Sequence, residues 1–546
     1  MLQRVLILAA LVGIVALPFV LRPSHRAEGG RTDDTLVIIT PHNEAIRHEF
    51  GRGFAQWYRE RTGRTVAIDW RVIGGTSEIS RFLESEYVAS FRLLWTGKLK
   101  RPWSLEVQAG FANARLSADA PAEAREAREV FLASDVSCGI DLFFGGGSYD
   151  FIQQAEAGRL VPTRVVENHP DWFRPDVMPA VFAGEPFRDS QSRWIGNVLS
   201  SYGILYNRDA LTRLGIENEP MHWSDLADPR LVGQVALSDP TKSSSIAKAF
   251  ENLIQQQMQI RLAALRRELP GASVEVLERR AVAEGWIAGL QLLQRIGANA
   301  RYFTDSSQKP PIDVAQGDCA AGICIDFYGR SQAEVAALRS KGRPRLGFIS
   351  PPGGTVSSVD PIAILRGAPH REVAEACIEF TLSPEGQKLW NLRPGTSGGP
   401  ERFALRRLPV RRDFYKDAAV DALRSDPGVN PYAEGEALVY RPTWTAGVFR
   451  EMAFIIRVMA LDCHGELVDA WRALDRAGMP ADALAVMQDL SLVSYDRVNE
   501  VIRPRLRAKN KVEELKLARE LGDAFRANYR EAKRMAEQRG AVAVNR

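Results

Sequence analysis

A set of short polar clusters in this sequence has the composition needed to grip a small charged group: Thr40–Glu44, Gly74–Ser77, Gly145–Ser148, Ser243–Ser245, Asp326–Tyr328 and Ser357–Asp360. Most stand between a strand-like apolar run and a stretch of helical spacing. A helix N-terminus carries unpaired N–H groups and partial positive charge, and Ser, Thr and Gly let a ligand's oxygens approach them. Thr76, Ser77, Gly146, Gly147, Ser148, Ser243, Ser244 and Ser245 are therefore candidate donors to a phosphate, phosphonate, sulfonate or carboxylate. Glu44, Asp326 and Asp360 suit a cation instead, such as a polyamine. His42, Asn43 and Tyr328 complete the candidate set, with His42 open between a ligand contact and a packed ring. Taken singly, each cluster is more often a plain N-cap than a ligand contact. Recurrence at successive corners carries the functional reading.

Enzyme signatures do not accompany these corners. No GxSxG elbow, HExxH, Walker loop or GxGxxG after a strand occurs. A cysteine nucleophile in "GDCAAG" would need a partner base, and none of the seven histidines presents itself as one. The expectation is a binding protein, not an enzyme, with no cofactor. Lys+Arg 71 against Asp+Glu 67 leaves a net charge of +4, without the basic face that nucleic acid requires.

The elements that must position the clusters read as α/β. "TLVIIT", the helical stretch Glu44–Thr62, "VAIDWRVIGG" and "SEISRFLESE" alternate strand and helix, the mark of a sheet covered by helices. The alternation resumes at "GIDLFFGGG", "SYGILYNRDAL", "QVALSDPTKSSS", "GICIDFYGR" and "VDPIAIL". Residues 88–137 interrupt it and are expected to hold strand-like and helical pieces. At 546 residues the chain exceeds one core. The arginine-dense stretch Arg393–Tyr415 reads as a solvated loop or as a wall of the ligand site.

Five cysteines lie far apart and read as buried thiols; a Cys319–Cys324 disulfide is the alternative. At the N-terminus, Arg4 precedes the apolar run Val5–Leu21, which cations follow. Residues 1–27 are expected to be a signal peptide or an uncleaved membrane anchor, and the body to be exported to the periplasm. Residues 433–546 read as a helical extension with Leu517, Leu521 and Phe525 on one face.

Several stretches in order, "LVIITPHNEAIRHEFGRGFAQWYRERTG", "GGTSEISRFLESE", "DLFFGGGSYDFIQQAEAGRLVP", "WSDLADPRLVGQVALSDPTKSSS", "AQGDCAAGICIDFYGRSQA" and "FTLSPEGQKLW", resemble the periplasmic solute-binding proteins of ABC transporters. The likeness is to the group that includes the ferric-ion and phosphorylated-solute receptors. It implies a type II-like two-lobed fold with a hinge, lobe 1 at residues 35–193 and 345–432 and lobe 2 at 194–344. It further implies ABC permease subunits as partners and a solute held between the lobes. Ferric-binding relatives use a histidine, a carboxylate and a tyrosine pair. Here His42 and Tyr328 match, Phe327 replaces the first tyrosine, glycine replaces the carboxylate, and Asp326 is the nearby substitute. The resemblance thus leaves an organic anion, ferric iron on His42, Asp326 and Tyr328, or a non-transport sensing or interaction ectodomain open.

Overall fold

The computed structural model describes residues 32–544 apart from 115, 118, 435–437 and 509. The expected leader or anchor, residues 1–27, lies outside them. Among the described residues no helix is long and apolar enough to cross a membrane.

Strand β1 (Asp34–Ile39) runs into helix α1 (Glu44–Thr62), where the Asn43 side chain accepts the Ile46 N–H at 3.1 Å. Gly63, at φ 71°, ends the helix in the left-handed conformation that glycine tolerates best. Phe50, Phe54 and Trp57 are buried at helical spacing against the sheet. Strand β2 (Val66–Arg71) and helix α2 (Thr76–Arg92) repeat the unit.

Past Arg92 the chain makes a π-turn over Leu93–Lys98, then α3 (Leu105–Gly110) and α4 (Ala122–Ala133). The strand-like pieces expected within 88–137 are thus helical or irregular among its described residues. Their aromatic residues pack inward on one another, Phe91 stacked on Phe111 at 4.8 Å and Phe111 edge-on to Phe131 at 5.0 Å, instead of extending the sheet.

Strand β3 (Leu142–Phe144), helix α5 (Ser148–Glu156), β4 (Leu160–Val161), the hairpin β5 (Val181–Phe182) and β6 (Glu185–Pro186), and β7 (Ile195–Ser200) follow. After Ser200 the chain crosses to a second sheet: β8 (Tyr202–Asn207), β9 (Val235–Ser238), β10 (Ala300–Thr304), β11 (Ala321–Ile325) and β12 (Leu346–Ile349). It returns through residues 350–357 to β13 (Ser358–Leu365) and later β14 (Leu408–Pro409). The first sheet has the order β14-β7-β13-β3-β1-β2, with β4 on β13, and the second the order β10-β9-β11-β8-β12.

Each sheet with its helices forms a lobe, and two crossing segments join them. The crossings fall after Ser200 and Ile349, a few residues beyond the expected 193 and 344. The reason is pairing: β7 still bonds β13 of the first sheet, and β12 still bonds β8 of the second. The Ser201 and Ser350 hydroxyls lie 3.2 Å apart, which ties the crossings together.

The second lobe carries the long helices α6 (Ser244–Glu268), α7 (Val274–Ala298) and α8 (Asp326–Arg339). The C-terminal region does not sit apart from it. The long helix α9 (Lys511–Val544) buries Leu517, Leu521, Phe525 and Tyr529 in the same apolar core as Trp286, Leu290 and Leu293 of α7. Tyr529 donates to the Met459 carbonyl and accepts from Gln294, at 3.0 and 3.1 Å. All five cysteines are free thiols.

Candidate functional site

The first lobe's corners face the second lobe's across a crevice. Parallel β1, β2 and β3 all point their carboxyl ends toward it, where open α/β sheets hold ligands. One part of the crevice is built from helix starts. The Ser77 hydroxyl, on the first turn of α2, lies 3.0 Å from the Ser244 hydroxyl on the first turn of α6. Thr76 and Ser148 are buried beside them, and Ser243 caps α6 by accepting the Ile246 N–H. Ser245 is half-buried on the same turn.

The glycines here serve close approach. A Cβ on Gly146, at φ 121°, would come within 2.6 Å of the Thr76 hydroxyl, and one on Gly145 would strike the His42 ring. Of the Gly145–Ser148 cluster, the first residue has no N–H left for a ligand. The Gly145 N–H is already given to the Pro361 carbonyl at 2.8 Å.

Asp150, on the first turn of α5, faces this cluster and receives the Ser80 hydroxyl at 3.0 Å. Burial pushes its carboxyl above the usual range, although the Ser244 and Ser80 hydroxyls and Arg81 oppose the shift. The native carboxyl therefore holds its proton more tightly than the unfolded chain does, and ionisation works against folding as pH rises above about 4. Asp150→Asn, which keeps the acceptor oxygen, is expected to be more stable than the parent at pH 7. Denaturant titrations should show the gap closing as pH falls toward about 4; a gap of one size throughout would refute the assignment.

The other part of the crevice centres on Arg407, only 2 % exposed. Its Nη1 lies 2.7 Å from Asp360 Oδ2 and 3.5 Å from His42 Nε2, and its Nη2 donates to the Ser200 hydroxyl. The guanidinium also lies 4.6 Å from the Phe327 ring centroid, a contact between lobes. Burial drives Asp360 upward, but Arg407 and the His42 hydrogen bond outweigh it and hold the carboxyl below its ordinary value. His42 is buried against Phe144 at 4.6 Å between ring centroids, and burial lowers its pKa, so the ring is neutral at pH 7.

Asp326 is buried and held by Arg330 at 2.9 Å, and Arg330 also faces Asp426 of the first lobe at 3.4 Å. Arg406 continues the ladder to Asp426 at 2.5 Å and to Glu334 at 2.6 Å. Tyr328, its phenol pushed up by burial, meets the Asn43 side chain.

Between α1, α8 and residues 402–405 lies a cavity of about 360 Å³, lined by Asn43, Gln308, Tyr328, Ser331, Gln332 and Arg402 among others. That volume suits a small organic solute.

These features agree with comparisons to known proteins. Residues 136–397 match the family profile described as bacterial extracellular solute-binding protein. That match covers 262 of the 546 residues, just under half of the chain. A protein of Haemophilus influenzae is 25% identical over 252 residues, 46% of this chain and 60% of that one. The phosphoglycerate transport regulatory protein PgtC of Salmonella typhimurium is 26% identical over 292 residues, 53% of this chain and 59% of that one. The matched regions thus span about 60% of the curated relatives. Among solved structures, the periplasmic binding protein AfuA of Actinobacillus pleuropneumoniae, with fructose-6-phosphate bound, has TM-score 0.47 at 17% identity, covering 81% of this chain and 98% of that one. Iron-bound HitA of Pseudomonas aeruginosa has TM-score 0.42 at 16% identity, covering 77% and 99%.

The fold brings His42, Asn43, Tyr328 and Asp360 to one part of the crevice and Thr76, Ser77, Gly146, Gly147, Ser148 and Ser244 to the other. Glu44 stands apart on the exposed first turn of α1. The three carboxylates considered for a cation are dispersed: Asp326 engages Arg330, Asp360 engages Arg407, and Glu44 faces solvent. Arg407, Ser200 and Asp150 were not singled out from the sequence. Only the arginine density of 393–415 hinted at the first.

Proposed function

We propose that this protein is the solute-binding receptor of an ABC importer, exported to the periplasm, that captures a small organic anion bearing phosphate or carboxylate groups between its lobes. The observation that carries this reading is the cavity of about 360 Å³ where Asn43, Tyr328 and Arg402 meet from both sides of the crevice. The buried Arg407 guanidinium beside His42 makes the same crevice unfavourable for a highly charged metal cation, so ferric iron on His42, Asp326 and Tyr328 ranks behind the anion. The name of the Salmonella relative, a phosphoglycerate transport regulatory protein, adds support for an anionic solute. Hinge motion about the two crossing segments would admit the solute.

Titration calorimetry with 3-phosphoglycerate, a hexose phosphate, a dicarboxylate and ferric citrate tests the reading. An anion is expected to bind, and Arg402→Ala with Tyr328→Phe to weaken it about tenfold or more, the worth of one charge-assisted hydrogen bond. Both side chains can be trimmed without opening the core, which is not true of His42. Binding of ferric citrate alone, or anion affinity untouched by the double variant, would overturn the anion assignment.

A second reading, a ligand-sensing ectodomain, draws on the C-terminal helices fused to the second lobe's core and on the word regulatory in that relative's name. Ligand-dependent capture of a partner other than permease subunits would select it.

A further inference from the structure

We propose that the pole of the first lobe farthest from the crevice, built around residues 91–105, docks on an anionic bilayer surface. Between Glu86 and Glu106 the chain carries Arg92, Lys98, Lys100 and Arg101 and no carboxylate. Interleaved with these cations are leucines turned to solvent, Leu93 at 73 % exposed, Leu99 at 40 % and Leu105 at 79 %. Their neighbours Phe91, Trp95 and Phe111 form a rigid aromatic base, so the leucines are presented by folded structure and not by a loose loop. Arg101 is committed to Glu126, whereas Arg92, Lys98 and Lys100 make no ion pair among the described contacts. Protruding leucines set among unpaired cations are the chemistry of a surface that inserts shallowly among anionic headgroups.

The topology points the same way. Helix α2, 17 residues long, starts at the crevice with Thr76 and ends about 24 Å away at Arg92. Parallel strands β1 and β2 begin at that far end with Asp34 and Val66 and finish at the crevice. The chain therefore enters the fold at the pole that carries the leucines. The sequence preceding it contains the apolar run Val5–Leu21, separated from β1 by twelve residues that reach at most about 43 Å. A bilayer holding that run would lie within reach of the pole, and docking would leave the crevice standing clear of the surface.

The test uses the full chain with Cys138→Ser and a polarity-sensitive fluorophore on Leu105→Cys; the remaining native thiols are buried. A second labelled variant, Leu515→Cys, marks an exposed site on α9 in the other lobe. With vesicles of phosphatidylglycerol and phosphatidylethanolamine, the label at 105 is expected to shift to the blue and resist iodide quenching, and the label at 515 to do neither. Lys98→Gln with Lys100→Gln should lower the docked-to-undocked ratio about thirtyfold, since each cation near such a surface contributes about fivefold. Phosphatidylcholine vesicles should give no response. The proposal is overturned by silence at 105 on anionic vesicles, by equal responses at 105 and 515, or by an equal response on phosphatidylcholine. A response without vesicles that grows with protein concentration would assign the patch to a second copy instead and would also overturn it.

Discussion

A chain ending at residue 510 is expected to lose the folded second lobe, not merely a terminal helix. Leu517, Leu521, Phe525 and Tyr529 are each no more than 6 % exposed. They complete the core that α7 and residues 449–474 share. At about 1.5–3 kcal/mol for each large apolar side chain buried, their joint contribution is about 6–12 kcal/mol. That is as large as the whole stability of an ordinary domain, about 5–15 kcal/mol. Removing α9 would also take away the Tyr529 hydroxyl that donates to the Met459 carbonyl, while the Gln294 amide would keep its bond to the Met487 carbonyl. Hydrogen exchange supplies the measurement: amides of β9 and β11 should lose protection on truncation, while those of β1 and β13 keep it. The single change Phe525→Ala should cost about 3–5 kcal/mol by the same logic. Retention of protected β9 and β11 amides in the truncated chain would show the extension to be an appendage.

This fusion of the extension with the lobe marks where sequence reasoning reached its end. The stripe Leu517, Leu521, Phe525 announces that one helix face needs cover, but periodicity carries no information about which surface supplies it. The β–α corners were legible for the opposite reason. A strand that ends in glycine or serine before a helix start is a local pattern, and parallel strands bring such ends to one edge of their sheet by topology alone. Thr76, Ser148 and Ser244 could thus be placed without knowing any long-range contact.

Residues 88–137 were misread in part because "LLWTGKLKRPW" alternates apolar and basic residues as a strand would. Its aromatic rings instead close on Phe111 and Phe131, a packing that only tertiary structure reveals. Arg407 eluded the reading because it is one arginine in a dense run. What sets it apart is burial beside Asp360, a residue nearly fifty positions earlier in the sequence.

Arg407→Met is expected to cost about 3 kcal/mol or more at pH 7, the ordinary consequence of removing one member of a buried ion pair. The penalty arises from what is left behind. Asp360, with its side chain 20 % exposed, would keep its charge with only His42 Nε2 at 3.7 Å as a neighbour, and His42 is neutral there. The Ser200 hydroxyl would lose its donor as well. The pH dependence follows from the direction of the Asp360 shift. A carboxyl held below its unfolded value adds stability above about pH 4 and gives it up as pH falls through the native value. In Arg407→Met that gain is gone, so the variant's deficit should be full at neutral pH and shrink in acid. Arg407→Met with Asp360→Asn should recover most of the loss, because no charge then remains unpaired. Urea titrations of the parent, both single variants and the double variant across this pH range would give the coupling directly. A double variant no better than Arg407→Met, or a deficit of equal size in acid and at neutrality, would mean that the guanidinium acts through its packing on Phe327 and Trp390 and not through Asp360.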